Sequence, residues 1–348
     1  MINRQDASLA KLVVHHIGNE ANHAHLRFAP ECHMLDDLAL NQILASYFLD
    51  QYKVPEFYQF SANNGDFSRH PLHESITKIF DDSSLLYEES KKIALHLFEQ
   101  VSHLQETESN VYIASIQNIL LEDEYVEAIA IVRAEEMDSF LNVGTNLNNR
   151  SIKSSLGTSI AKMVRGCLIL NTERSTGYKI LCIDQAKGIN ANIWRNEFLS
   201  VSPYFNNYRN TSEFIKLTAG FIKNNYSDED APNILEEAEY LKKTLDYVKQ
   251  NDHISIDDYK DKVLKTPKVM EAFDLYTNEN NFPFNNGNER NKIEVSELAL
   301  KQYAKVYKSV LKLDKNFHVY IHGDHSKISR GVDELGRKYY QLYYEEES

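Results

Sequence analysis

The feature that most constrains how this chain folds is the arrangement of its β-rich apolar runs, which come in adjacent pairs joined by short polar turns. Val111–Leu121 (VYIASIQNILL) and Tyr125–Arg133 (YVEAIAIVR) flank the acidic triplet Glu122-Asp123-Glu124, and Gly166–Leu170 and Tyr178–Ile183 flank Thr172–Gly177. Runs so close together read as antiparallel hairpins, because a parallel pair needs a crossover of a dozen or more residues. Strands that pair with their sequence neighbours, instead of alternating with helices, favour an α+β fold over a doubly wound parallel sheet. The expected architecture is α+β: a β-rich N-terminal unit with antiparallel hairpins and flanking helices, then a helical C-terminal unit ending in a β-hairpin.

The remaining segments fill in this plan. Leu9–Gly18 is rich in β-branched residues and reads as a strand closed by the turn signal Gly18-Asn19; a short second strand fits His23–Phe28. Leu35, Leu38, Ile43, Leu44, Tyr47 and Phe48 follow helical spacing, and Ser83-Ser84 opens a helix carrying Ile93, Leu97 and Val101. After about residue 205 helices dominate. They start at Thr211-Ser212-Glu213, run through Ala231–Gln250, start again at Ser255-Ile256-Asp257-Asp258 with capping-box spacing, and run from Ser296 to Leu313. Phe317–His322 alternates strictly and takes Lys338–Tyr344 as its Tyr-rich partner across a loop holding Gly323, Gly331 and Gly336. At 348 residues the chain is longer than one average domain, so residues 1–204 are expected to form an α+β domain and 205–348 a mostly helical one with the terminal hairpin.

Charge sets the functional limits. The net charge of −13 has the wrong sign for a protein that coats nucleic acid by bulk attraction. Its distribution is uneven: residues 1–200 hold 17 cations against 26 acids, whereas residues 281–343 hold 11 against 7. The clearest local pattern is Lys301, Lys305, Lys308 and Lys312. On a helix through Leu313 this spacing places four ammonium groups on one stripe, beside an apolar stripe of Leu300, Ala304, Tyr307 and Leu311. Such a stripe is often only the wet side of an amphipathic helix; flanked by Arg290, Lys292, Lys327 and Arg330 it also forms a candidate phosphate-contacting face. A weaker basic cluster comprises Arg150, Lys153, Lys162 and Arg165.

Other chemistries find little support. The chain has no phosphate-binding glycine loop, nucleophile elbow or H-E-x-x-H motif, and its adjacent acidic pairs read as solvated helix starts, so no enzyme activity and no cofactor are expected. His318 and His322 share a strand face but lie roughly 13 Å apart along it, too far for one metal ion. Only His322, Asp324 and His325 could converge, through a turn, and a polar strand face and loop is the default reading. The cysteines Cys32, Cys167 and Cys182 are odd in number and lack C-x-x-C, which fits a reducing compartment. Centring the second hairpin on Arg174-Ser175 opposes Cys167 and Cys182, which reads as two small buried side chains, with a redox switch as the alternative. With no apolar run near the roughly twenty residues of a spanning helix and no secretory signal, a cytoplasmic protein without a membrane partner is expected.

Several phrases, in this order, resemble one family: Val13-Val14-His15-His16-Ile17-Gly18-Asn19; the hairpin Gly166–Asn171 to Gly177–Ile183; Trp194-Arg195-Asn196-Glu197-Phe198-Leu199; and Leu313–Gly323 with Gly331–Tyr340. They resemble the bacterial nucleoid-associated proteins of the NdpA/YejK type, in the form found in Bacteroidetes-like sequences. The resemblance spans nearly the whole chain and implies association with the compacted chromosome, double-stranded DNA as partner and a cytoplasmic, nucleoid location. It brings no set of contact residues, so the lysines above rest on charge and spacing alone. The acidic balance leaves two ways to reach the nucleoid: a homodimer that aligns two copies of the 281–343 face on non-specific DNA, or recruitment as an interaction module by a topoisomerase, a helicase or phage-defence machinery.

Overall fold

A computed structural model describes residues 2–346 apart from 19–24, 62–65, 68, 102–107, 136, 144–151, 188–192, 227–233, 281–291, 308, 314–316 and 322–326. The chain forms two compact units, Met1–Tyr204 and Phe205–Ser348. The architecture is α+β, with every strand pair among the described residues antiparallel.

The first unit is built on a sheet of β1 (Ile2–Asn3), β2 (Ser8–Ile17), β3 (His33–Met34), β4 (Phe57–Phe60), β5 (Ser109–Leu121), β6 (Glu124–Ala134), β9 (Arg165–Leu170), β10 (Lys179–Asp184) and β11 (Val201–Pro203); β7 (Met137–Val143) and β8 (Ile152–Thr158) form a separate ribbon between β6 and β9. The sheet order is β11-β4-β10-β9-β6-β5-β2-β3, with β1 on the end of β5. Both expected hairpins form. Leu121 faces Glu124 across a two-residue turn in which Glu122 takes φ 58°, and Cys167 faces Cys182 as the centring on Arg174-Ser175 implies.

Strand alternation sends different residues to the two faces of this sheet. Ile113, Ile129, Ile131, Cys167, Ile169 and Ile180 meet helices α2 (His73–Asp81) and α3 (Leu86–Val101), which bring Ile76, Ile79, Ile93 and Leu97. On the other face Ala114, Ala128 and Ala130 leave room for the large side chains of α1 (Leu38–Leu49), Tyr47 and Phe48. The start of α1 is fixed by Asp37, whose carboxylate accepts from the backbone N–H of Ala39 and Leu40 at 2.9 and 3.1 Å. The Trp194 segment is a π-helical turn, Ile193–Phe198, with Trp194 buried and its indole N–H donating to the Gly166 carbonyl at 3.3 Å. Of the short strand expected over His23–Phe28, residues 23 and 24 lie outside the described residues, and Arg27 forms a bridge with His16.

The second unit packs α4 (Asn207–Tyr226), α5 (Ile234–Gln250), the single turn α6 (Ile256–Tyr259), α7 (Pro267–Glu279) and α8 (Glu297–Tyr303) around Phe214, Phe221, Leu241, Tyr259, Phe273 and Tyr307. Ser255 stands at the N-cap of α6, but its hydroxyl makes no capping bond among the described residues. Three two-stranded sheets complete the unit: β12 (His253–Ser255) with β13 (Lys292–Glu294), β14 (Ser309–Leu313) with β15 (Phe317–Ile321), and β16 (Ile328–Val332) with β17 (Lys338–Leu342).

Two expectations for this unit are corrected. Ser296–Leu313 is not one helix: α8 tightens into a three-ten turn over Ala304–Tyr307, and the chain continues as β14. Lys338–Leu342 does not pair with Phe317–Ile321 either, since each strand pairs with the segment just before it. Both differences have one cause. A strand that meets its nearest apolar neighbour through a short turn closes a smaller loop, and that local pairing outweighs continued helix in Ser309–Leu313.

Candidate nucleic-acid interface

The helix–strand switch divides the expected lysine stripe. Ser296 caps α8, its hydroxyl accepting from Ala299 N–H at 3.4 Å, and Lys301 is exposed one turn later. Its ammonium lies 3.5 Å from the Glu297 carboxylate, with both side chains open to water. A pair of this kind contributes little and yields readily to a phosphate. Lys305 is exposed on the three-ten turn. The turn ends at Tyr307, which is buried with its hydroxyl 2.7 Å from that of Thr218; burial pushes the phenol well above its usual range, so it stays neutral and anchors the element. Lys308 lies outside the described residues, and Lys312 sits on β14 opposite His318. Four lysines at spacing 4, 3 and 4 therefore do not share one helical face.

The flanking cations are distributed as follows. Arg290 lies outside the described residues. Lys292 is exposed on β13, opposite Ser255, while its neighbour Ile293 points into the core. Lys327 is ion-paired to Glu345 at 2.6 Å. Arg330 lies in β16 directly across from Tyr340, and Val332 lies across from Lys338.

Because side chains two apart share a strand face, Arg330 and Lys338 are diagonal neighbours on one side of the β16–β17 hairpin, with Tyr340 beside them. Both cations are exposed, and neither has an ion-pair partner among the described residues. The turn between the strands is tied down by Asp333. Its carboxylate accepts from Leu335 N–H at 3.0 Å and Arg337 N–H at 2.8 Å and takes the Arg337 guanidinium at 2.8 Å, and Gly336 supplies φ 76°. The backbone and side-chain bonds from Arg337 hold the Asp333 carboxyl below its ordinary range. The sequence places Lys338 at the head of a Tyr-rich strand; its place beside Arg330 and Tyr340 follows from the strand register.

The weaker N-terminal cluster does not form a basic surface. Lys153 and Lys162 are exposed and Arg150 lies outside the described residues, but Arg165 is buried. Its guanidinium sits 2.6 Å from Glu135, which also lies 3.3 Å from buried Arg133. Burial lowers Arg133 to about 10. His322, Asp324 and His325 lie outside the described residues. Among the described residues no group of three or more His, Cys, Asp or Glu side chains is arranged to hold a metal ion, and no helix is long and apolar enough to cross a membrane.

A search of curated proteins returned no match. One family model, described as nucleoid-associated protein YejK, matches residues 13–341, a span that runs from β2 in the first unit through β17 in the second. With nearly its whole length matched, the chain belongs to that family of nucleoid-associated proteins.

Proposed function

We propose that this nucleoid-associated protein acts without enzymatic chemistry or cofactor, in the cytoplasm at the nucleoid, by binding double-stranded DNA with little sequence preference. The observation that carries this reading is the face of the β16–β17 hairpin on which Arg330 and Lys338 flank Tyr340, two exposed cations free of ion pairs among the described residues. Phosphate contacts need cations that can leave their present partners cheaply, and sequence-independent affinity comes largely from such contacts. Lys301, Lys305 and Lys292, together with Lys327 once it releases Glu345, extend the phosphate-contacting set; Lys308, Lys312 and Arg290 complete the basic segment. A homodimer would double this set against the overall negative charge.

The test is a titration of full-length protein with duplex DNA at several salt concentrations. Arg330→Glu with Lys338→Glu is expected to lower affinity about 10- to 100-fold and to reduce the slope of log affinity against log salt by about 2. Lys301→Glu with Lys305→Glu forms a second arm. Unchanged affinity and slope in both arms would remove this segment from the mechanism.

A second reading rests on Val332, Leu335, Tyr343 and Tyr344, which are exposed on and beside the same hairpin. As an interaction module for a topoisomerase, a helicase or phage-defence machinery, the protein would not bind bare DNA at physiological salt but would co-purify with a partner.

A further inference from the structure

The β7–β8 ribbon pairs only with itself among the described residues. Its register places Met137 opposite Thr158, Ser139 opposite Leu156, Leu141 opposite Ser154 and Val143 opposite Ile152, so these residues share one face. The other face carries Asp138, Phe140, Asn142, Lys153, Ser155 and Gly157; there Phe140 lies over Gly157, and the Asn142 amide donates to the Ser155 hydroxyl at 2.8 Å. The ribbon is therefore amphipathic, and its apolar face is bare: Met137 is 49% exposed, Leu141 74%, Val143 58%, Ile152 69% and Leu156 70%. A two-stranded ribbon is marginal in water by itself, and a contiguous exposed apolar face of this kind marks an interaction site.

We propose that this face docks a second copy of the same chain. Charge narrows the choice of occupant. The apolar face holds no charged side chain, since Asp138 and Lys153 both lie on the reverse, so the acidic balance of residues 1–200, 17 cations against 26 acids, places no like charges against each other where two such faces meet. An uncharged face offers nothing to a phosphate backbone or a charged peptide. Shape supports it too. Each large Leu stands across from a small Ser, so every ribbon presents two knobs and two hollows, and a two-fold axis can set the knobs of one copy into the hollows of the other. Five large apolar side chains at these exposures present roughly 500–600 Å², so a symmetric pair removes about 1,100 Å² from water, near the lower bound for a specific interface.

The experiment is sedimentation equilibrium of the full-length chain from about 1 to 100 μM, the range in which an interface of this size associates. The wild type is expected to dimerise reversibly. Leu141→Asp with Leu156→Asp should weaken dimerisation by at least about 100-fold with unchanged far-ultraviolet circular dichroism, whereas Asn142→Asp on the opposite face should leave it intact. If the aspartates prevent folding, Leu141→Ser with Leu156→Ser supplies the same comparison. A wild type that stays monomeric throughout overturns the proposal, as does a Leu variant that dimerises as tightly as wild type. A monomer that instead co-floats with phosphatidylcholine vesicles assigns the face to lipid and overturns it equally.

Discussion

At the scale of single residues, the first unit is organised around neutral histidines whose bonding fixes their tautomers. His15 Nδ1 accepts from Ala29 N–H at 3.0 Å, so Nε2 carries the proton toward the Ser90 hydroxyl at 2.9 Å. His70 Nδ1 lies 3.3 and 3.2 Å from the N–H groups of Leu72 and His73, and its Nε2 donates to the Ser200 carbonyl at 3.2 Å. Burial lowers both rings to about 4, and it lowers His73 and His96 as well. Below about 6.5 the unfolded chain takes up protons that the folded one refuses. Stability is therefore full above that pH and falls as pH drops toward 4. Thermal denaturation should show Tm declining from pH 7 to pH 5, and His70→Gln should flatten that decline; a Tm flat across this window in wild type would contradict the assignment. The opposed thiols behave as core groups: burial pushes Cys182 up to about 12 and also raises Cys167 well above the usual thiol range. With almost no thiolate at pH 8, both should resist iodoacetamide in the native protein and react in urea, a difference that mass spectrometry reads directly.

At the scale of elements, the β9–β10 hairpin owes its shape to Gly177. It takes φ 101°, its carbonyl accepts from Phe60 N–H at 2.9 Å, and a Cβ there would lie 2.8 Å from the Phe60 carbonyl oxygen. Gly177→Ala should destabilise the first unit by about 1–3 kcal/mol in urea denaturation, since it meets both the left-handed backbone and a neighbouring strand. Gly336→Ala is a useful contrast. Gly336 also has positive φ, but open space surrounds it, so only the backbone cost of about 1 kcal/mol applies. Hairpins with short turns were readable in advance because period-two patterning and turn chemistry agree over the same residues. Ser296–Leu313 was not. Its lysine and apolar spacings fit a helix, yet Ser309–Leu313 also suits a strand, and only the pairing with Phe317–Ile321 decides between them. The β7–β8 ribbon is not legible for a related reason: its few apolar residues are interspersed with Asp, Ser, Asn, Lys and Gly and form no core-forming run.

At the scale of the molecule, the −13 of the chain is an average over unlike parts. If DNA is bound directly, the salt slope should report only the few cations of the C-terminal segment, far fewer than a protein basic throughout would engage. The sequence by itself determined the α+β class, the two central hairpins, the opposition of Cys167 and Cys182 and the family resemblance, because each depends on local pattern or on wording along the chain. Tertiary structure alone decided which strand pairs with which at the C-terminus, that Arg165 is buried against Glu135, and that Arg330, Lys338 and Tyr340 share a face. The physical reason is that charge and spacing are properties of a segment, whereas register, burial and the partner of an ion are settled only when distant segments meet.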